Sequence, residues 1–150
     1  MKGKIEFYRT VGTYGCFSNF SRHPVTFATK VYPTSEHAFQ AQKYVDTAPE
    51  HAEAIRLSST PTKAKALGWS RKYKVRADWD TARLMVMREI LRAKFTQHPL
   101  CRAVLLSTGD QELVEHTKND AFWGDGGGGK GKGENQLGKA LMDIRRELRL

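Results

Sequence analysis

Prolines and capping residues stand at short intervals along this chain, and they restrict it to a fold of mostly short helices. Proline suits the first turn of a helix and breaks a helix interior, so Pro33, Pro49, Pro61 and Pro99 mark helix beginnings. Thr34 or Ser35 is the expected N-cap of the first helix, and Thr60 that of the third. This pattern predicts helices over residues 34–45, 49–57, 61–68 and 99–106.

Two further helices carry the clearest apolar stripes. Asp80, which follows Trp79 in a predicted loop, is the expected cap of the longer one. Its apolar face comprises Leu84, Met87, Leu91 and Phe95. The last helix begins near Asn135, and its apolar face comprises Leu137, Leu141, Ile144 and Leu148. A single apolar stripe is typical of a helix that packs against a core.

Short alternating or β-branched stretches predict the strands. They cover residues 4–8, 25–27, 30–32 and 113–117, with a turn at Ala28 and Thr29. A chain of 150 residues has room for one core, and neither a repeat nor a linker interrupts it. We therefore predict a single helix-rich α+β domain over residues 1–150, with small β elements near the N-terminus.

The charge balance points to anionic partners. Lysine and arginine number 25 and the acidic residues 16, which gives a net charge of +9. This favours nucleic acid or phosphorylated metabolites without choosing between them. The longest aliphatic run covers residues 103–106, too short to span a membrane, and no secretory signal is evident. Two cysteines do not form a disulfide framework, so we expect a cytoplasmic protein.

A polar stripe on the first helix is the first candidate for chemistry. Glu36, Gln40 and Lys43 share one face at spacings of four and three residues. In a partly dry cleft, a carboxylate can act as a general acid and a lysine as a nucleophile. The alternative is an ordinary solvated face with an acid in the first turn, and the spacing alone favours that alternative.

Residues 63–76 form a basic stretch with no acidic residue. Its cations are Lys63, Lys65, Arg71, Lys72, Lys74 and Arg76, with Trp69 and Tyr73 between them. Cations bind phosphates and aromatic rings stack on bases, so a nucleic-acid surface is one interpretation. The other is a solvated helix and loop with Trp69 in the core, which the pattern slightly favours. Trp79 is either a core anchor or a stacking platform.

The glycine-rich segment 125–133 resembles a phosphate-binding loop. Its glycines allow close approach of backbone N–H groups to an anion, and Lys130 and Lys132 add charge. Gly131 stands where a Walker A loop needs Ser or Thr, so that motif is excluded. The alternative is a plain surface loop. The adjacent Trp123 favours a binding loop, because a large aromatic ring beside glycines can form the wall of a pocket. The five histidines lack metal-ligand spacing, so no metal or other cofactor is expected.

Three blocks in sequence order carry a family resemblance: GCFSNF over 15–20, YPTSEHAFQAQK over 32–43 and NDAFWGDG over 119–126. Together with Gly133, Asn135 and the residues to 142, they resemble the NADAR superfamily, and residues 91–95 and 113–117 are similar to its YbiA-type branch. The glycine run 126–129 is longer than the family pattern. The resemblance covers about residues 7–148 and implies a NADAR fold.

The resemblance also implies an N-glycoside hydrolase that cleaves a bond between ribose C1 and nitrogen without a metal. Breaking that bond requires charge stabilisation at C1 and a proton for the leaving nitrogen. The expected catalytic residues are Glu36, Lys43, Trp79 and Asp120. Lys43 is the candidate for a Schiff base with an opened C1 aldehyde, Trp79 for stacking on the base, and Asp120 for orienting water or a ribose hydroxyl. The expected substrate-binding residues are Phe17, Ser18, Asn19, Gln40, Trp123, Gly124, Asp125, Gly126 and Asn135.

Three functions follow from this resemblance. The first is hydrolysis of phosphoribosyl-amine metabolites such as early riboflavin-pathway intermediates. The second is removal of ADP-ribose from guanine in DNA or RNA, which the basic stretch mildly supports. The third is a non-catalytic module that binds a ligand related to NAD or ADP-ribose, and it ranks last because all four expected catalytic residues are present.

Overall fold

The structure is a computed structural model that describes residues 3–126 and 132–150. Its helices are α1 (Ser35–Gln42), α2 (Pro49–Arg56), α3 (Pro61–Gly68), α4 (Trp79–Gln97), α5 (Pro99–Ser107) and α6 (Gln136–Leu148). Its strands are β1 (Lys4–Phe7), β2 (Val25–Phe27), β3 (Lys30–Tyr32) and β4 (Glu112–Glu115). Short helices with a few small strands confirm the predicted α+β class. Within the described residues, no helix combines the length and apolar character that crossing a membrane requires.

Two helix boundaries differ from the sequence prediction by more than one residue. Helix α1 ends at Gln42 and not near Val45, because the N–H groups of Lys43 and Tyr44 bond to carbonyls three residues back. Trp79 is the first residue of α4 and not part of a loop, so Asp80 is not the cap. The carbonyl of Asp78, just before the helix, accepts the N–H of Ala82 at 2.8 Å.

The described residues group into two compact units, each presented by itself; the single domain over 1–150 stays a prediction. In the unit Arg22–Gln97, α1 packs against α2, α3 and α4. The antiparallel pair β2–β3 turns at Ala28 and Thr29, where the sequence predicted a turn. Both residues have positive φ, which is typical of a two-residue hairpin turn. The stripe of α4 that faces this core includes Met87, Leu91 and Phe95, all at most 1% exposed.

The other unit combines Met1–Ser21 with His98–Leu150. Strands β1 and β4 pair in parallel, with Ile5 opposite Leu113 and Phe7 opposite Glu115. Helix α6 packs on β4, and Leu137, Leu141 and Ile144 form its buried face. The predicted strand near residues 113–117 and the predicted face of the last helix are therefore confirmed, except that Leu148 is only half-buried.

Candidate active site

Helix α1 is buried along its whole length although much of its sequence is polar. Thr34 caps it by accepting the backbone N–H of His37 on its hydroxyl. Glu36, Gln40 and Lys43 are 7%, 3% and 6% exposed. The solvated face that the spacing favoured is therefore wrong, since the stripe is enclosed by protein. Burying charged groups is costly unless they have partners, so this concentration marks α1 as the candidate site.

Glu36 and Gln40 are joined directly. The Gln40 amide Nε2 donates to Glu36 Oε2 at 2.7 Å, as expected for residues four apart on a helix. The other amide atom, Gln40 Oε1, is buried and accepts no hydrogen bond from any described residue. It lies against Gly68, where an added Cβ would be 2.0 Å from it. The absence of a side chain at Gly68 is therefore what makes room for Gln40 beside Glu36.

Lys43 lies at the C-terminal end of α1 and its amine is held from two sides. Its Nζ donates to the carbonyl of Gly68 at 3.1 Å, and the Tyr44 hydroxyl donates to the same oxygen at 2.8 Å. The amine also lies 4.5 Å from the ring centroid of Trp69 and 6.0 Å from that of Trp79. One carbonyl and two indole rings thus fix the position of the Lys43 amine.

Burial of Lys43 lowers its pKa to about 8, because its charged form loses hydration. The negative charge of Glu36 raises this pKa, and the positive charge of Arg83 lowers it. At pH 7 about one Lys43 side chain in ten then carries a free amine, against about one in three thousand at the ordinary lysine pKa of 10.5. The amine therefore has the free lone pair that nucleophilic attack on carbon requires.

The two tryptophans near Lys43 differ in exposure. Trp79 is 9% exposed and packs against Phe39 with ring centroids 5.0 Å apart. This placement favours the core-anchor interpretation of Trp79, although its ring still reaches Lys43. Trp69 is 69% exposed, so its expected place in the core is wrong. Sequence reasoning left Trp69 out of the catalytic residues, and its place among the cations of residues 63–76 was the signal available for a stacking role.

The segment that follows α3 is held in place by His51. The His51 ring donates from Nε2 to the Leu67 carbonyl at 2.8 Å and stacks on Tyr73, with centroids 4.1 Å apart. Five cations of the basic stretch are exposed and have no ion pair with any described residue: Lys63, Lys65, Arg71, Lys72 and Lys74. The sixth, Arg76, pairs with Asp78 at 2.6 Å. The exposed Trp69 thus belongs to a stretch of sequence that carries five exposed, unpaired cations within the described residues.

In the unit formed by 1–21 and 98–150, the first motif block lies around a 3₁₀ helix, Gly15–Phe17. Phe17 is fully buried and packs edge-on against Phe7, with ring centroids 5.6 Å apart. The Ser18 hydroxyl accepts the N–H of Phe20 at 3.1 Å. Asn19 is 8% exposed. Phe17 and Ser18 therefore support the local fold, and a ligand contact by these residues stays a prediction.

Asp120 organises the turn that contains Trp123. Its Oδ1 accepts the N–H of Phe122 at 2.9 Å and that of Trp123 at 2.8 Å. The Trp123 ring is half-buried and meets Phe122 edge-on, with centroids 4.9 Å apart. An aspartate whose side chain accepts two following N–H groups is a typical turn former. The structure gives Asp120 this local role, and its catalytic role stays a prediction.

The next residues are tied to β4 and α6. Asp125 accepts the N–H of Thr117 at 3.0 Å and lies 2.8 Å from His116 Nδ1. Asn135 adopts a φ of 51°. Its Nδ2 donates to the Leu113 carbonyl, and its Oδ1 accepts the N–H of Glu115. Gly124 and Gly126 are closely packed, with added Cβ atoms 2.2 Å from Thr117 and 2.5 Å from Ala121. The remaining predicted phosphate loop, residues 127–131, lies outside the described residues.

His116 also brings Glu6 close to Asp125, a cluster that the histidine spacing did not predict. The nearest ligand atoms of these three residues lie within 4.8 Å of one another. The hydrogen bond to Asp125 raises the pKa of His116, with further contributions from the charges of Asp125 and Glu6. Burial tends to raise the pKa of Asp125, but its bonds to His116 and Thr117 lower it overall. The cluster thus fastens the 116–125 segment to β1.

Residues 6–149 match the family model of the NADAR domain. The chain is 50% identical to N-glycosidase YbiA of Escherichia coli (strain K12), over 96% of this chain and 88% of that relative. An NMR structure of E. coli YbiA matches with a TM-score of 0.88 at 48% identity, covering 99% of this chain and 87% of that one. A riboflavin biosynthesis protein of Vibrio vulnificus (strain YJ016) is 41% identical, over 99% of this chain and 39% of that relative. The predicted resemblance and fold are confirmed.

Proposed function

The chain belongs to the NADAR family and is an N-glycosidase, and we propose that its substrate is a phosphoribosyl-amine metabolite such as an early riboflavin-pathway intermediate. The observation that supports this most is the buried lysine of lowered pKa beside a buried glutamate on α1. The name of the Vibrio vulnificus relative supports the riboflavin pathway as the source of the substrate. A reducing cytoplasm suits the two cysteines, which are buried and unbridged.

Glu36 is the proposed general acid. Breaking the C1–N bond leaves positive charge at C1 and an electron pair on the nitrogen, which needs a proton. A carboxyl group in a dry environment can keep that proton at neutral pH and deliver it. Gln40 holds the Glu36 carboxylate through the 2.7 Å bond, so it acts as a positioning residue. Water then adds to C1 as a hydroxyl group, and the proton that it loses returns to Glu36.

Lys43 offers a second route to the same products. Its free amine attacks C1 of the ring-opened sugar, the amine of the substrate leaves with a proton, and an imine forms between Nζ and C1. Water hydrolyses the imine and restores the lysine. The carbonyl of Gly68, which accepts from Nζ at 3.1 Å, orients the amine for this attack. Borohydride reduces an imine to a stable secondary amine, so a Lys43 adduct of reduced ribose phosphate separates this route from direct attack by water, which leaves no bond to the protein.

Trp69 is the residue that we propose for stacking on the released ring, in addition to Trp79. Its ring is 69% exposed and one side lies 4.5 Å from Lys43 Nζ. Flat heterocycles stack on exposed indole rings. Asn19, Asp120 and Trp123, with the other predicted binding residues, remain proposed contacts of ribose and phosphate, and this proposal depends on the family resemblance alone.

A second candidate is removal of ADP-ribose from guanine in nucleic acid, and one observation favours it. Trp69 and Tyr73 are exposed among five cations that have no ion pair with a described residue. An exposed aromatic ring surrounded by cations suits single-stranded nucleic acid. Binding of this kind weakens steeply as salt increases, whereas a small phosphorylated metabolite responds less. The non-catalytic ligand-binding module is disfavoured, because the similar E. coli protein is named an N-glycosidase.

A paired mass-spectrometric assay tests both candidates. One reaction contains 5-amino-6-ribosylamino-pyrimidinedione phosphate and the other a guanine-ADP-ribosylated oligonucleotide, both with EDTA to test independence from metals. The proposal predicts release of the free pyrimidine, loss of that release in Glu36→Gln, and retention in the surface variant Lys63→Ala. Restoration of guanine alone supports the second candidate. Binding without release on either substrate contradicts both.

A further inference from the structure

A cavity of about 590 Å³ lies in the unit formed by 1–21 and 98–150, and the proposed catalytic residues of α1 do not line it. Its lining comes from three places: the start of β1, the turn before β4 and the last turns of α6. The residues are Gly3, Lys4, Asp110, Glu112, Met142, Arg145, Arg146 and Arg149. A cavity of this size suits a small metabolite.

The charges around this cavity are unbalanced. Four of its lining residues are cations and two are acids, which leaves a net charge of +2. One of the two acids, Asp110, forms an ion pair with Arg149 at 2.9 Å. Arg146 is 75% exposed in its side chain and bonds only to Asp143 on its own helix, at 3.2 Å, among the described residues. Lys4 pairs with Glu6, which lies outside the lining, at 3.8 Å. Among the lining cations, Arg145 is therefore the one that has no ion pair with a described acid.

Arg145 is the most constrained of these cations. It is 6% exposed, and its Nη1 donates to the Thr108 hydroxyl and the Gln111 carbonyl, both at 2.8 Å. Its Nε and Nη2 have no hydrogen-bond partner within residues 3–126 and 132–150. A guanidinium is a planar fork of five donors, so anchoring one nitrogen fixes the direction of the others. Arg145 is thus a fixed donor in the cavity wall with unused N–H groups.

The electrostatics agree with this geometry. Burial lowers the pKa of Arg145, the charges of Arg149 and Arg146 lower it further, and Asp110 opposes them. Cations that lie this close repel one another, and an anion between them would offset the repulsion. A dianion matches the net charge of the lining. One guanidinium group can also bind two oxygens of a phosphate at once.

We propose that this cavity is a second binding site, for a small molecule that carries a phosphate group. Arg145 and Arg146 contact the phosphate oxygens, Lys4 and Arg149 supply further positive charge, and Met142 provides an apolar wall for the organic part. None of these lining residues is among the proposed catalytic or substrate-binding residues. A ligand in this cavity therefore contacts side chains that the proposed reaction does not use.

Calorimetric titration with adenosine monophosphate and with inorganic phosphate, at fixed ionic strength, tests this site, with adenosine as the uncharged control. Binding is expected for both phosphates and not for adenosine. Arg146→Glu is expected to weaken binding at least tenfold, since a hydrogen bond to a charged group is worth about 1.5–3 kcal/mol and 1.4 kcal/mol is tenfold. Lys139→Glu, the same charge change on an exposed residue of α6 outside the cavity, is expected to change affinity less than threefold.

Two further measurements place the binding on the cavity. The methyl resonance of Met142 is expected to shift with saturating phosphate, and Lys43→Ala is expected to leave the affinity unchanged. Loss of binding in Lys43→Ala but not in Arg146→Glu would assign the phosphate to α1 and overturn the proposal. Equal weakening by Arg146→Glu and Lys139→Glu, or no heat of binding at all, would also overturn it. None of these outcomes depends on whether the enzyme turns over a substrate.

Discussion

Gly68, the last residue of α3, lies against Gln40 beside the proposed acid Glu36, and replacing it by alanine tests how the site is packed. The added Cβ would lie 2.0 Å from Gln40 Oε1, 2.6 Å from Cδ and 2.9 Å from Cβ. Gly68 does not have a positive φ, so the backbone itself tolerates alanine. The amide of Gln40 must therefore leave its place, and its 2.7 Å bond to Glu36 breaks.

The expected loss of activity follows from the strength of the bond between Gln40 and Glu36. A hydrogen bond to a charged group is worth about 1.5–3 kcal/mol. If Glu36 loses its position in the transition state, kcat/KM falls by roughly 10- to 150-fold, since 1.4 kcal/mol is about tenfold. Gln40→Ala removes the same bond directly and is expected to cause a similar fall.

The double variant makes the prediction specific. Gln40→Ala removes the two closest atoms and leaves only the 2.9 Å approach to Cβ, which a small shift relieves. Gly68→Ala in that background should therefore cause little further loss of activity, so the two losses do not multiply. Alanine also favours helix by about 1 kcal/mol over glycine, so the destabilisation by Gly68→Ala should shrink or reverse in that background.

The assay is steady-state release of free pyrimidine, with thermal melting to follow stability in the four proteins of this cycle. Activity of Gly68→Ala equal to that of wild type would refute the reasoning. Multiplication of the two single losses would also refute it, because it would mean that Gly68 and Gln40 act independently.

Three other predictions concern protonation and stacking. If the imine route operates, kcat/KM measured against pH should fall below an apparent pKa of about 8, that of Lys43, and a profile flat from pH 6 to 9 would contradict it. Trp69→Ala should raise KM by roughly 2- to 13-fold, the value of an aromatic contact of about 0.5–1.5 kcal/mol, whereas Trp69→Phe should raise it less; equal effects would argue against stacking. The folded-state pKa of His116 is raised, so its contribution to stability is present below its unfolded value of 6.5 and is lost as pH rises through the folded value. His116→Gln should therefore lower the melting temperature more at pH 5.5 than at pH 8.5, and the opposite order would contradict the His116–Asp125 pair.

Local signals predicted most of the fold. Pro49, Pro61 and Pro99 each begin a helix as expected, and Thr60 caps α3 on the N–H of Lys63. The turn at Ala28 and Thr29 was also expected, although neither residue is a glycine. The start of α4 was misplaced by two residues. Asp80 is a residue type that favours a cap, but Asp78 is the aspartate that stands directly before the helix.

The candidate site was harder to predict because burial is a tertiary property. Spacing placed Glu36, Gln40 and Lys43 on one face, and only the packing of α2, α3 and α4 around α1 encloses that face. The prediction for Trp69 was wrong in the opposite direction. A large apolar side chain is usually buried, and this one is exposed. The contact between Gly68 and Gln40 joins residues far apart in sequence, and no local pattern indicates it.

Cleavage of the C1–N bond is assigned here to the buried pair Glu36 and Lys43. The most direct test is single-turnover release of free pyrimidine from the phosphoribosyl-amine by wild type, Glu36→Gln and Lys43→Ala, with Lys63→Ala as the matched surface control. Both α1 variants are expected to bind substrate and to lose at least about 100-fold in rate, the size of a general acid-base contribution, while Lys63→Ala retains wild-type turnover. Turnover at the wild-type rate in Glu36→Gln and in Lys43→Ala would contradict the claim.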